Sequence, residues 1–435
     1  MSGAPGDSNG SGRYVPVVVI GAGQAGLAAS ACLSARGLEH VLLERHVVAH
    51  SWKHERWASL RLLTPNWMTQ LPHLDPAIVR SEIDHDPDGF DRADQLAKVL
   101  EDYAAAISAP VVEGVSVESV RAAQPDPTAP GDARPQFVVE STDGVRTCDA
   151  VVIASGACVS PAIPTFASSL PDHVTQITPT DYRSPDELAP GDVLVVGASA
   201  SGTQLADELQ RAGRSVTLST WHHRRMVRRY RGRDIFWWLH ESGDLHRPAD
   251  LNEADAPPPS MQLVGSPDHR DLDLNALIEH GVRVAGSMAG IDGHLARFND
   301  DLAATAAAAD RAMFDQLAAI DAWIESSQRI GEFDPPERVR PTCIADPIAE
   351  LDLTEIGVVI WATGFRPHFP FLPDDWRTET GAVRHRGGVG ERTGVFVLGM
   401  PYNRTRSSNF ISGVGPDAEV VADAISRRLA VHADR

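Results

Sequence analysis

Apolar and polar positions fall along this chain in blocks whose lengths name the elements they form. Residues 14–45, YVPVVVIGAGQAGLAASACLSARGLEHVLLER, open on a short aliphatic run, break at glycines and continue through alanine-rich sequence to Gly37. They then return to an aliphatic run that ends in Glu44. An unbroken apolar run of strand length marks a strand buried on both faces, and alanine-rich sequence closed by glycine marks a helix. The block therefore predicts strand, tight turn, helix and second strand. Residues 193–220 repeat it at a constant offset of 176 without a gap, placing Gly21 on Gly197, Gly26 on Gly202, Gly37 on Gly213 and Glu44 on Thr220, with Ser199 in place of Gly23.

Further apolar blocks extend the pattern. CDAVVIASGA (148–157) and IGVVIWATGF (356–365) are buried-type strands that run into Ala-Ser-Gly and Ala-Thr-Gly, and 395–398 is another strand, followed by Gly399, a polar loop and a helix starting near Pro416. Residues 299–332 space Leu302, Met313, Leu317, Ile320 and Ile324 along one helical face. That face packs within or beside the second repeat, or against another subunit.

Each glycine of GAGQAG has a physical task. Gly21 makes the turn, Gly23 lets a pyrophosphate approach the backbone, and Gly26 lets helix and strand pack closely; the helix start then offers free N–H groups to phosphate. Ala22, Gln24 and Ala25 complete that turn, and Glu44 would accept hydrogen bonds from a ribose diol. The second turn, Gly197 to Gly202, retains small residues, with the hydroxyls of Ser199 and Ser201 able to donate to phosphate. Its second strand ends in LSTWHHRR, so Ser219, Thr220, Arg224 and Arg225 are expected at a ribose 2′-phosphate that an acid would repel. FAD suits the first site and NADPH the second. Small residues at Ala362, Thr363, Gly364 and Gly399 are expected to let the chain cross close to cofactor.

Composition narrows the alternatives. The 435-residue chain is 43% hydrophobic and 23% charged, as in soluble globular proteins of two or three domains. Its net charge of −20 opposes nucleic-acid binding. The six arginines of RRMVRRYRGR (224–233) are expected, beyond the first pair, to meet local acids or line a cleft. Residues 1–13 read as a flexible leader without a signal segment, and no apolar run is long enough for a membrane helix, so the expected location is cytoplasmic. Cys32, Cys148, Cys158 and Cys343 make no short-spaced dithiol or metal knuckle and are expected as small buried side chains.

Taken in order, these motifs resemble the flavin-containing monooxygenases, the class B flavoproteins, and the bacterial FAD/NAD(P)H oxidoreductases related to them. The residues that carry the resemblance are GAGQAG with Glu44; SWKHERWASLRLLTPNWMTQLP (51–72); ASG at 154; SPAIP at 160; QITPTDYRSP at 176; GASASG at 197; and WATGF at 361. The resemblance implies an α/β fold of two Rossmann-like domains, the second inserted in the first: 14–165 with 345–435 for FAD, and 166–344 for NADPH. It implies that NADPH reduces the flavin, which traps oxygen as a hydroperoxide and oxygenates a small organic substrate in a dry pocket, with no metal.

Two departures bear on the chemistry. Thr178 stands where the family carries a histidine, which favours N- or S-oxidation over Baeyer–Villiger insertion. Leu63, with Thr64 next, stands where the eukaryote-like branch has an asparagine, leaving Asn66, Thr64 and Arg56 as candidates beside the flavin. Trp52, Arg56 and Trp57 either line the ring system or pack between domains. The alternatives are an NADPH:flavin reductase or dehydrogenase without oxygen insertion, or a non-catalytic nucleotide-binding sensor. A homodimer is compatible with all three.

Overall fold

The computed structural model describes residues 13–82, 86–123, 136–249 and 258–433. The first repeat forms β1 (Val17–Ile20), α1 (Gln24–Ser34) and β2 (His40–Leu43), joined later by β3 (Ala150–Ile153). The second forms β4 (Asp192–Val196), α2 (Ala200–Arg211) and β5 (Val216–Ser219), extended by β6 (Arg283–Ala285). Helix α3 (Leu302–Ser326), β7 (Ile356–Trp361), β8 (Val395–Val397) and α4 (Ile411–Ala433) complete the framework.

Two sheets follow from the repeats. The first runs His385–Arg386, Val389–Gly390, β8, β3, β1, β2, Val111–Val112; the second runs Thr175–Ile177, β7, β4, β5, β6 and is parallel throughout. In the first, α1 and α4 bury Leu27, Leu33, Val414 and Ile425 against one face. A mixed sheet, antiparallel over Val117–Ala122, Phe137–Ser141 and Gly144–Cys148 with Arg13–Tyr14 added in parallel, closes the other through Phe137 and Val139. Strands covered on both faces account for the unbroken aliphatic runs.

Several expectations shift. The insertion holds, but its return boundary at 344/345 falls too early: β7 pairs with β4 in the second sheet, and the chain recrosses where Phe365–Arg366 pairs antiparallel with Ser160–Pro161. An apolar strand states that it is buried, not which sheet it joins. Helix α4 starts at Ile411 rather than near Pro416, which lies inside it. Of the leader, Arg13 pairs in a strand and the remainder lies outside the described residues. Cys32 and Cys148 are buried, whereas Cys158 and Cys343 are exposed, and all four are free thiols. Among the described residues no helix is long and apolar enough to cross a membrane.

The face of α3 formed by Met313, Leu317, Ile320 and Ile324 is spent inside the chain, against Ile235, Trp238 and Leu239. Three of the six arginines in the run are likewise consumed: Arg225 pairs with Asp273 and Asp310, Arg228 with Asp234, and Arg231 with Asp321. Arg228 is fully buried. Its Nε and Nη2 lie 2.7 and 2.6 Å from Asp234 Oδ2, its Nη1 donates to the Leu63 carbonyl at 2.7 Å, and its guanidinium stacks 4.4 Å from the Phe90 ring centroid. Burial pulls Arg228 below its ordinary pKa and pushes Asp234 above its own. This pair fastens residues 60–70 to the inserted domain. Arg228→Ala strands Asp234 in the interior and should lower unfolding free energy by about 3–5 kcal/mol, with partial recovery in the double variant carrying Asp234→Ala, read from denaturant midpoints.

Candidate active site

The two glycine turns superpose in detail. Val17 pairs with His40 and Val193 with Val216, the same register displaced by 176. Gly21 N donates to Leu43 O, and Gly197 N to Ser219 O, both at 2.9 Å. Gly21 and Gly197 have φ of +106° and +109°, and a Cβ on them would lie 2.6 Å from the Ala154 carbonyl oxygen and 2.3 Å from that of Ala362. The Ala-Ser-Gly and Ala-Thr-Gly segments are thus the floor beneath the turns. A Cβ on Gly26 or Gly202 would lie 1.9 or 1.8 Å from the carbonyl oxygen of Gly21 or Gly197.

Gly23 differs: nothing in the chain lies within 4 Å of where its Cβ would stand. The missing side chain leaves space for a group outside the polypeptide, as a diphosphate at the start of α1 requires. Ser199 repeats that backbone, φ −79° and ψ −174° against −82° and −169°. Its Cβ therefore projects into the equivalent open space without straining the turn.

In the first unit the acid and the turn are coupled. Glu44 Oε2 accepts from Ala22 N at 2.8 Å and Oε1 from His46 N at 2.9 Å. A carboxylate has about four acceptor positions, so two remain for ribose hydroxyls. Gln24 links three segments: its Oε1 accepts from Trp52 Nε1 at 3.2 Å and its Nε2 donates to Asn409 O at 2.9 Å. Gly399 passes against α1, where a Cβ would sit 2.6 Å from Ala25 Cβ. Arg56 lies over the Trp52 ring at 5.2 Å. Trp57 is buried in the core of the second unit, edge-on to Tyr182, and is a packing residue.

The expected 2′-phosphate contacts are corrected. Ser219 Oγ donates to Gly286 O at 2.9 Å and Thr220 Oγ1 to Ala285 O at 3.1 Å, and both residues are buried. Arg225 donates to Asp273, to Asp310 and to the Arg340 carbonyl. Burial raises the pKa of Asp310, but Thr342 and Arg225 donate to it and bring it below the ordinary carboxylate value. These three side chains are bound to their own domain, and only Arg224 keeps partial exposure. Trp221, at 61%, and His222 are the exposed residues at this strand end. Thr363 Oγ1 donates to Ala162 O, and Gly364 O accepts from Ala162 N, so both hold the domain crossing. Ser201 is partly exposed in the first turn of α2.

Asn66 is also corrected. It is buried, its Nδ2 donates to Asp86 O at 3.0 Å and its Oδ1 accepts from Asp91 N at 2.9 Å, so it shapes the 86–91 loop. Thr64 and Arg56 remain partly exposed. Thr178 Oγ1 donates to Asp181 Oδ2 at 2.6 Å, closing a local turn. Glu208 accepts from Tyr182 OH at 3.2 Å within the inserted domain and from Ser59 Oγ at 2.5 Å across the boundary of the domains, and burial raises the pKa of Glu208. Gln262, missed in the sequence, is fully buried and donates to Ala198 O at 2.8 Å, steadying the second turn as Glu44 steadies the first. No periodic pattern surrounds it, so the sequence carries no signal for it.

Two outcomes follow from this geometry. Gly23→Ala should fold with stability changed by about 1 kcal/mol, yet retain little FAD after purification, whereas Gly26→Ala should lose about 3 kcal/mol or more; flavin absorbance per chain and unfolding midpoints separate them. Ser219→Ala and Thr220→Ala should each cost about 1 kcal/mol of stability and leave the ratio of NADPH to NADH affinity unchanged, measured by titration.

The family of pyridine nucleotide-disulphide oxidoreductases matches residues 18–234, about half the chain. An uncharacterized CzcO-like oxidoreductase of Geobacillus kaustophilus is 28% identical over 419 residues, 95% of this chain and 99% of that one. The indole-3-pyruvate monooxygenase YUCCA1 of rice is 31% identical over 204 residues, 46% of each chain. The flavin-containing monooxygenase of Stenotrophomonas maltophilia shares the fold at a TM-score of 0.66 and 19% identity, over 96% of this chain and 99% of that one. Such proteins imply FAD and NADPH as cofactors. With two congruent dinucleotide turns on adjoining sheets, the chain is an FAD-dependent oxidoreductase, similar to the pyridine nucleotide-disulphide oxidoreductases in its first half and sharing the fold of flavin-containing monooxygenases.

Proposed function

We propose that this protein is an NADPH-dependent monooxygenase that transfers one oxygen atom to a small organic molecule, at nitrogen or sulfur in preference to ketone-to-ester insertion. The observation that carries the reading is the Gln24 junction. One side chain of the first glycine helix holds both Trp52 and the loop before α4, drawing three segments together at the first nucleotide turn. FAD, when bound, supplies two-electron transfer from NADPH and the reduction of oxygen. The chain's part is to bind and orient. The start of α1 and Glu44 hold the flavin nucleotide, and the start of α2 holds the diphosphate of NADPH. Exposed Trp221 offers a face on which the adenine can stack. Thr178 is bonded to Asp181 and offers no imidazole, which supports the preference against ketone insertion.

A second reading has its own support. Asn66 is spent on the 86–91 loop, so the polar side chain expected beside the flavin is not free. A reductase that passes electrons to an acceptor without oxygen insertion fits that fact.

Reducing the FAD-loaded protein with NADPH under anaerobic conditions and then admitting oxygen separates the readings. The monooxygenase should reduce readily and then show an absorbing species, distinct from oxidised and reduced flavin, that persists while NADP⁺ is bound. Immediate reoxidation with stoichiometric peroxide would instead establish the reductase, and absence of reduction by NADPH would leave a nucleotide-binding sensor.

A further inference from the structure

A row of three imidazoles runs beside the first nucleotide turn. Past Glu44 the chain passes through His46 to Ala49 and into a short helix, His50–His54, whose Trp52 bonds to Gln24. His46 stacks on His50 with ring centroids 4.0 Å apart, and His50 lies 4.8 Å from His54, one helical turn on. Both polar atoms of the Ala22 backbone hold this segment: Glu44 accepts from Ala22 N and from His46 N, and Ala49 N donates to Ala22 O at 3.2 Å. Ala49 is buried at φ +58°, a left-handed conformation that a residue with a Cβ keeps only where its surroundings impose it.

The row is built for neutral rings. Arg45 Nε donates to His46 Nε2 at 3.1 Å, so that nitrogen carries no proton in this arrangement. The middle ring, His50, has its Nδ1 buried without a hydrogen-bond partner. Most carboxylates nearby are engaged elsewhere: Glu44 with two backbone amides, Glu113 with Val48 N, and Glu101, on the helix Ala93–Ala106 packed alongside, with Lys53. Among the described residues Glu55 is the one carboxylate close to a ring nitrogen of the row, its Oε1 3.9 Å from His50 Nε2. The cations are Arg45 at His46, Arg56 over Trp52, and Arg183 of the inserted domain, which donates to the His54 carbonyl. One proton can settle beside Glu55. A second would set like charges 4.0–4.8 Å apart, and a proton on His46 Nε2 would oppose Arg45. Burial, and then His46, already pull the His50 imidazole below its ordinary value. A group depressed in this way leaves the closed arrangement undisturbed above the ordinary histidine value, about 6.5, and weakens it progressively below.

We propose that His46, His50 and His54 form an acid-sensitive latch on the FAD site: neutral, they hold residues 44–54 on the first turn, and protonated they release that segment and the nucleotide with it. Glu44 is the link, since the carboxylate suited to the ribose also binds His46 N. The protein therefore keeps its flavin at neutral pH and sheds it in mild acid.

Flavin fluorescence on dilution of the FAD-loaded protein gives the dissociation constant at about pH 7.5 and about pH 5.5, a window above that of ordinary carboxylates. The parent should bind about tenfold more weakly at the lower pH for each ring that closure keeps unprotonated, with its far-UV circular dichroism unchanged. The double variant His46→Gln/His50→Gln, in which glutamine still offers Arg45 an acceptor, should match the parent at neutral pH within about threefold and lose most of the pH dependence. His54→Gln, at an exposed end of the row, disturbs the fold least and should lose part of it. Four outcomes would overturn the proposal: affinity that does not fall in acid, a fall that accompanies general unfolding, an equal fall in parent and variants, or a double variant that no longer holds FAD at neutral pH. Only FAD binding is read, so the latch can fail while the oxygen experiment succeeds, and the reverse.

Discussion

The fold hangs on a contact between backbone atoms. At each nucleotide turn the carbonyl of an alanine, Ala154 or Ala362, fills the volume that a side chain on Gly21 or Gly197 would need. A third strand can lie against the first only with that side chain absent, and the left-handed φ of the glycine then points the chain into its helix. The strand arrangement, the helix start and the open space above Gly23 all descend from this one close approach. Because it is made twice with the same register, the two cofactor-binding units share a geometry although serine replaces glycine in one of them.

The units differ in how the turn is held. Glu44 reaches back to the amide of Ala22, so the residue suited to a ribose also organises the phosphate turn. The second unit has no acid there, and its turn is supported at the Ala198 carbonyl by Gln262 from outside the repeat. Freed of that duty, the end of β5 turns its hydroxyls inward to Ala285 and Gly286. Buried ion pairs such as Arg225 with Asp273 and Asp310 contribute less to net stability than to fixing which segments meet, since desolvation offsets much of their attraction.

How much was legible in the sequence follows from range. Glycine spacing, aliphatic runs and the 176-residue offset are local, and they yielded the turns and both nucleotide units, while the insertion came with the family resemblance. The face of α3 was legible for the same reason, since its periodicity records burial. Partners were not legible. Ser219, Thr220 and Arg225 have the right chemistry for a phosphate, but Gly286, Ala285, Asp273 and Asp310 claim them from 48 or more residues away. Asn66 looked available because the loop it clamps, 86–91, lies 20 or more residues downstream. The assignment of residues 356–361 to the first domain failed in the same manner, because interior strands of similar composition suit either sheet, and β7 pairs with β4 in the second.

The ribbon in which Ser160–Pro161 pairs with Phe365–Arg366 brings the entry and exit of the inserted domain side by side. Loop closure then ceases to depend much on the length of the insert: the ends of about two hundred residues are joined at one point, and each doubling of such a loop costs only about 0.6 kcal/mol. The first sheet can assemble β3 beside β8 as though the chain between them were a short connection. Nested topology, in which one domain interrupts the other, becomes two foldable units whose chain entropies are nearly separate.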